Sequence, residues 1–199
     1  MPKIGDKEEK VSFICDEAYK VFIDVGIDDF SLNQFIASIN MSKGQFYHYF
    51  STKEKLIHKV VSKKIFELMN SAVEEYKNKE TFIDKLNVFF NIYLNEQQCY
   101  IDLRKLYIDI LHIYISSHDT EIREFNNITH NSIFTLLEEI FDDEIKKGNF
   151  DINSKKMVKP ICATADGMFM HSLMIKNYDL KTELTNYFLE IEVLLSSNK

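Results

Sequence analysis

The chain has 199 residues, 45% of them hydrophobic and 28% charged, a globular composition long enough for a buried core and one or two domains. Its first ten residues carry no apolar signal-peptide core, and no run approaches the roughly 18 apolar residues of a membrane span, so a cytoplasmic protein without membrane contact is expected. Cys15, Cys99 and Cys162 lie far apart in no C-x-x-C pair, which argues against a disulfide framework or a zinc site and predicts reduced, buried thiols, while the net charge of −7 argues at first against nucleic acid.

With two prolines, five glycines and no alternating runs, the chain reads as all-α. Val11, Ile14, Cys15, Ala18, Tyr19 and Phe22 recur at helical steps and predict a first amphipathic helix ending near Gly26. Three Ser-x-x-Gln/Glu capping patterns follow, Ser31 with Gln34, Ser42 with Gln45 and Ser51 with Glu54, each a helix-start signal. They predict helices over about 31–38, 42–48 and 53–77, with Asn40 suited to a left-handed turn between the first two. Phe35, Ile36, Ile39, Met41, Phe46 and Phe50 then share a small core, and Lys43, Gln45, Tyr47, His48 and Lys53 face outward. That is a helix-turn-helix.

Further helical patterns cover about 81–97, 100–116, 120–147, 154–176 and 179–196. Gly148-Asn149 is the clearest break, and Pro160 requires the helix placed at 154 either to start later or to kink. Charge is unevenly spread. Residues 1–64 carry a net +1 and residues 65–199 a net −8, while 42–64 hold six lysines against Glu54 alone. The stretch 39–56, with the second helix of the helix-turn-helix, therefore sits in the one strongly basic window, and local charge decides which surface meets phosphate.

The stretch "SLNQFIASINMSKGQFYHYFSTKEKL", 31–56, resembles the tetracycline-repressor-like (TetR) family of bacterial transcription regulators. The likeness is closest over "SKGQFYHYFSTKEKL", with its Ser-Lys-Gly start, Tyr-x-x-Phe ending and Lys-Glu opening the next helix. A weaker echo lies in "GNFDINSKKMVKPICATADGMFM", 148–170. The chain departs from the family pattern at bulky Ile36 and at Ile39-Asn40 in the turn. The resemblance implies a helix-turn-helix DNA-binding domain over 1–52 and a helical ligand-binding and dimerisation domain over 53–199. It implies a regulator, by resemblance alone a repressor, released from a near-palindromic operator by a small molecule.

By match to that motif, Lys43, Gly44, Gln45 and His48 would face base edges. Lysine suits guanine acceptors, glutamine can pair adenine bidentately, and Gly44 lets the backbone come close. Ser31, Ser42, Tyr47, Tyr49 and Lys53 would meet phosphate. The helices at 154–176 and 179–196 would pair two subunits, with Leu184, Tyr187, Phe188, Ile191, Val193, Leu194 and Leu195 supplying apolar surface. Phe89, Phe90, Tyr93, Tyr107, Tyr114, Phe125 and Phe134 are candidates to line a pocket for an apolar or aromatic effector.

No glycine-rich phosphate loop, G-x-S-x-G elbow or H-E-x-x-H motif is present, so no catalytic residue, cofactor or metal site is expected. Two alternatives stay open: a dimeric DNA-binding regulator with a closed core and no effector, and a metal-dependent sensor or enzyme built on Asp109-x-x-His112 with His118 nearby.

Overall fold

A computed structural model describes residues 4–116 and 119–196, and these residues form ten α-helices with no strand. The first helix, α1 (Ile4–Val25), stops where Gly26 takes φ +83°, a left-handed value at which glycine ends a helix without a Cβ penalty. Next come α2 (Leu32–Ser38), α3 (Lys43–Tyr49) and α4 (Lys53–Tyr76). Asn40, at φ +53°, makes the expected left-handed turn between α2 and α3.

Of the three capping patterns, only one closes. Ser42 Oγ accepts the Gln45 amide at 3.2 Å and Gln45 Oε1 accepts the Ser42 amide at 2.9 Å, a complete box. Ser31 occupies the cap position of α2, but its side chain makes no capping bond. At α4 the cap is Thr52 rather than Ser51, because the Lys55 amide donates to Thr52 Oγ1 at 3.1 Å. The neighbouring hydroxyl is an equally competent acceptor, and the chain uses the one that starts the helix at Lys53.

The helix expected over 81–97 is two, α5 (Phe82–Phe89) and α6 (Asn91–Leu94), separated at Phe90 with φ −90° and ψ 18°. Then follow α7 (Gln98–Ser116) and α8 (Thr120–Lys146). Gly148, at φ +73°, makes the break after α8. A 3-10 turn (Ile152–Met157) leads into α9 (Val158–Met174), so Pro160 stands in the first turn of α9, where its missing N–H has no partner to lose. The late start, not a kink, accommodates the proline. The last helix is α10 (Leu180–Ser196).

The chain forms two compact units, Met1–Glu67 with Ile101–Asn126, and Leu68–Tyr100 with Asn127–Lys199. The first is centred on Ile14, Ala18, Phe22, Phe46, Leu56 and Val60, all at or below 1% exposure, and α7 adds Leu106 and Ile110. Phe35, Ile36 and Phe50 are buried as expected, while Ile39 and Met41 pack against this core half-exposed. In the second unit, Phe82 meets Phe141 and Phe150 edge-on, and Phe90 lies 5.1 Å from Phe188. Buried Lys85 stands 3.0 Å from Asp143 and 3.6 Å from Glu144. Burial would raise the Glu144 carboxyl, but bonds from Asn149 and Lys147, with Lys85 nearby, hold it below its ordinary value.

Cys15 is buried and Cys162 half-buried, their thiols pushed up to about 11 and about 12 by burial. Cys99 is exposed, contrary to the expectation for all three. No helix among the described residues is long and apolar enough to cross a membrane.

Candidate nucleic-acid interface

In α3, hydrophobic spacing decides which face is turned outward. Phe46 is fully buried, edge-on to Phe35 at 6.4 Å and stacked on Phe50 at 5.8 Å, and this anchors one side of a helix only seven residues long. The other side is then fixed outward: Ser42, Lys43, Gly44, Gln45, Tyr47 and His48 are all exposed, Tyr47 at 48%. Tyr49 is half-buried against the core, its ring edge-on to that of His48. Ser31 is exposed at the start of α2, which packs on α3.

A depression of about 400 Å³ on this face is bordered by Gly44, Gln45, His48 and Tyr49 together with Lys10 of α1 and Met41. Lys10 was not among the expected contacts, although a basic residue near the start of α1 is a signal the sequence carries. An ideal Cβ placed on Gly44 meets nothing within 4 Å, so the fold itself makes no demand for glycine there.

The lysines divide into different roles. Lys53 sends its ammonium back to the α1–α2 loop, donating to the carbonyls of Ile27 at 3.2 Å and Phe30 at 2.9 Å and standing 5.4 Å from the Phe30 ring centre. Lys55 pairs with Glu121. Lys63 and Lys64 both bind Asp16, at 2.7 and 3.2 Å, and both also reach Glu67. Burial would raise the Asp16 carboxyl, but the two ammonium partners win and lower it. Half of the six lysines in 42–64 are thus already neutralised, and Lys43 is the exposed cation on α3 itself.

The aromatic candidates for an effector pocket fall in both units. Phe89 and Phe90 are buried in the second, and Tyr93 there donates its hydroxyl to Asp166 beside Phe169. Burial raises the Asp166 carboxyl, offset in part by Tyr93 and His130. Phe134 stacks with His130 under Lys159. Tyr107 and Tyr114 pack against the core of the first unit instead. Tyr114 meets buried His58, whose ring is also edge-on to Phe125 at 4.4 Å. Burial, with Lys59 adding to it, pushes the His58 imidazole down to about 4.

On α10, Leu184, Phe188, Ile191 and Leu195 are core residues, and Tyr187 is half-buried. The exposed apolar groups are Leu189 at 46%, Val193 and Leu194, joined at the end of α9 by Leu173 and Met174, the latter at 72%. Leu189, Leu173 and Met174 were not singled out from the sequence. Asp109 accepts the Ile27 backbone amide, and its carboxyl is raised chiefly by burial. His112 is exposed and His118 lies outside the described residues; among the described residues no group of three or more His, Cys, Asp or Glu could hold a metal ion.

Residues 14–60 match the family of bacterial regulatory proteins called the tetR family. No curated protein sequence is a significant match. Among solved structures, the transcriptional regulator of the TetR family from Cytophaga hutchinsonii superposes with TM-score 0.76 at 16% identity, covering 98% of each chain. A transcriptional regulator from Saccharomonospora viridis in complex with choline gives 0.70 at 13%, covering 92% of this chain and 95% of the other. FadR from Bacillus subtilis in complex with stearoyl-CoA gives 0.62 at 20%, covering 90% and 96%. At these identities the superpositions speak for a shared fold.

Proposed function

We propose that this chain, whose residues 14–60 match the tetR family of bacterial regulatory proteins, is a cytoplasmic, ligand-responsive repressor that binds duplex DNA as a homodimer. The observation that carries the reading is the division of α3. Phe46 is locked inward, and Lys43, Gly44, Gln45, Tyr47 and His48 are presented together outward. A helix so presented fits the major groove, with Lys43, Gln45 and His48 at base edges and Gly44 admitting close approach. Ser31, Ser42, Tyr47, Tyr49 and Lys53 then contact phosphates, which supply affinity and register. Two copies paired through α9 and α10 would read a near-palindromic site with half-sites about one helical turn apart. The exposed Leu189, Leu173 and Met174 support that pairing.

The effector is a small apolar or aromatic molecule held in the second unit. Two proteins of the same fold carry small molecules, choline in one and stearoyl-CoA in the other. Here Asp166 and Tyr93 supply a polar pair amid Phe169 and Phe90. The competing reading, a regulator without effector, is favoured by the close burial of Phe89, Phe90 and Phe188.

The test is binding to fragments of the source genome across a salt series. Affinity should fall steeply as salt rises, because lysines displace counterions from the phosphates. Failure to bind any duplex at low salt overturns the DNA reading. An effector that survives screening should bind more weakly when operator is present, by the same factor, about 5- to 150-fold, by which it weakens operator binding. Equal affinity with and without operator leaves the regulator without an effector.

A further inference from the structure

His58 lies on the buried face of α4 at 4% exposure, one residue beyond Ile57 in the core stripe. Its Nδ1 stands 2.5 Å from the Tyr114 hydroxyl, and Ser62 is a hydrogen-bond partner of that tyrosine in turn. Burial pushes the Tyr114 phenol well above its usual range and keeps the His58 ring neutral near pH 7. A protonated phenol donates to Nδ1, which places the imidazole proton on Nε2. Among the described residues, Nε2 has no hydrogen-bond partner. A buried donor left in that state costs free energy that an oxygen acceptor would return.

The same imidazole lines a pocket of about 210 Å³ within the first unit. Phe50, Ile122 and Phe125 give it apolar walls, Tyr49 closes one side, and Lys59 and the Lys55–Glu121 pair stand at its edge. Lys59 is exposed and lies 5.4 Å from the Phe125 ring centre. A cavity of about 150 Å³ lined by apolar side chains is enough to hold benzene, so the space here suits one ring with a small substituent. The fixed charges add to +1 once Lys55 and Glu121 cancel, with His58 neutral.

We propose that this pocket binds a small aromatic organic acid, whose carboxylate accepts the His58 Nε2 proton and faces Lys59 while its ring rests on Phe125 and Phe50. The site is separate from the effector assigned above to the second unit, since every residue lining it belongs to the first. Its occupant touches Tyr49 and Phe50, the last residue of the recognition helix and its cap, so the ligand meets the DNA-reading element directly.

The experiment uses the full chain without DNA, labelled with ¹⁵N-histidine, and follows the His58 Nε2 resonance during titration with benzoate and, separately, benzyl alcohol. Benzoate should move that resonance saturably and bind at least tenfold more tightly than the neutral alcohol. Lys59→Ala, a change at an exposed position, should weaken benzoate at least threefold, and His58→Phe should weaken it at least tenfold. A resonance indifferent to benzoate, as when the Nε2 proton rests on water or on the Phe125 ring, overturns the proposal. Equal binding of the alcohol overturns it too, as does unchanged benzoate affinity in Lys59→Ala. None of these outcomes bears on operator binding, which is measured separately.

Discussion

Replacing Lys53 by methionine keeps most of the stem and removes the charge and its donors. In the structure that ammonium serves the carbonyls of Ile27 and Phe30 and sits beside the Phe30 ring. Bonds to a charged donor are worth about 1.5–3 kcal/mol in sheltered sites, but this one is only part-buried, so solvent screening cuts the pair together to about 1–2 kcal/mol. For a chain of this length each kcal/mol shifts the melting temperature by about 2–4 °C, giving a fall of about 2–8 °C. If the third donor also meets phosphate, each copy loses one contact, and the slope of log affinity against log salt should shrink by about 1.8 for a dimer. Thermal unfolding and a salt series on one operator read the two effects independently. A lower melting temperature with an unchanged slope would show that Lys53 staples the loop and touches no phosphate, and it would leave the DNA to Lys43 and its neighbours.

Acid should destabilise the first unit through His58. Its folded value near 4 lies below the ordinary 6.5, so its contribution is complete above pH 6.5 and is lost as pH falls toward 4, up to about 3 kcal/mol; His58→Phe should flatten that part of a urea-midpoint profile measured against pH. Gly44→Ala should stabilise α3 by up to about 1 kcal/mol, since the added Cβ meets nothing, yet weaken operator binding; tighter binding would refute a close approach of backbone to DNA. Leu189→Glu with Met174→Glu should shift sedimentation from dimer to monomer while leaving helicity unchanged, and a persistent dimer would move the interface off α9 and α10.

Why one capping pattern closed and two did not is a matter of what a pattern specifies. Ser-x-x-Gln states which atoms are able to bond, and at Ser42 the extended cap conformation brings them together. At Ser51 the adjacent Thr52 competes with the same chemistry, and nothing in the one-dimensional string ranks the two. The core face of α3 was legible because Phe46 and Phe50 have one plausible direction in a short helix packed on α2. The aromatics of α7 were not, since periodicity gives a helix its apolar face and leaves open which neighbour covers it; Tyr107 and Tyr114 meet the core built from α1 to α4. The break at Phe90 carries no glycine or proline to announce it. His58 stands in the stripe of Leu56, Ile57, Val60 and Val61, where a polar residue among core positions is itself a signal that the helical reading passed over.

The closed box at the start of α3 also settles which way round the Gln45 amide sits. The Ser42 N–H can only donate, so the atom 2.9 Å away must be the Gln45 oxygen, and the nitrogen end is the one left to lead outward. In that state the side chain offers hydrogen donors to whatever it meets, with its carbonyl turned back on its own helix. A bidentate grip on adenine calls for both ends at once and would require the helix start to open. The capped form is instead matched to edges rich in acceptors, the N7 and O6 of guanine or the O4 of thymine. If Gln45 meets a base edge as proposed, a backbone constraint narrows the base vocabulary available to it.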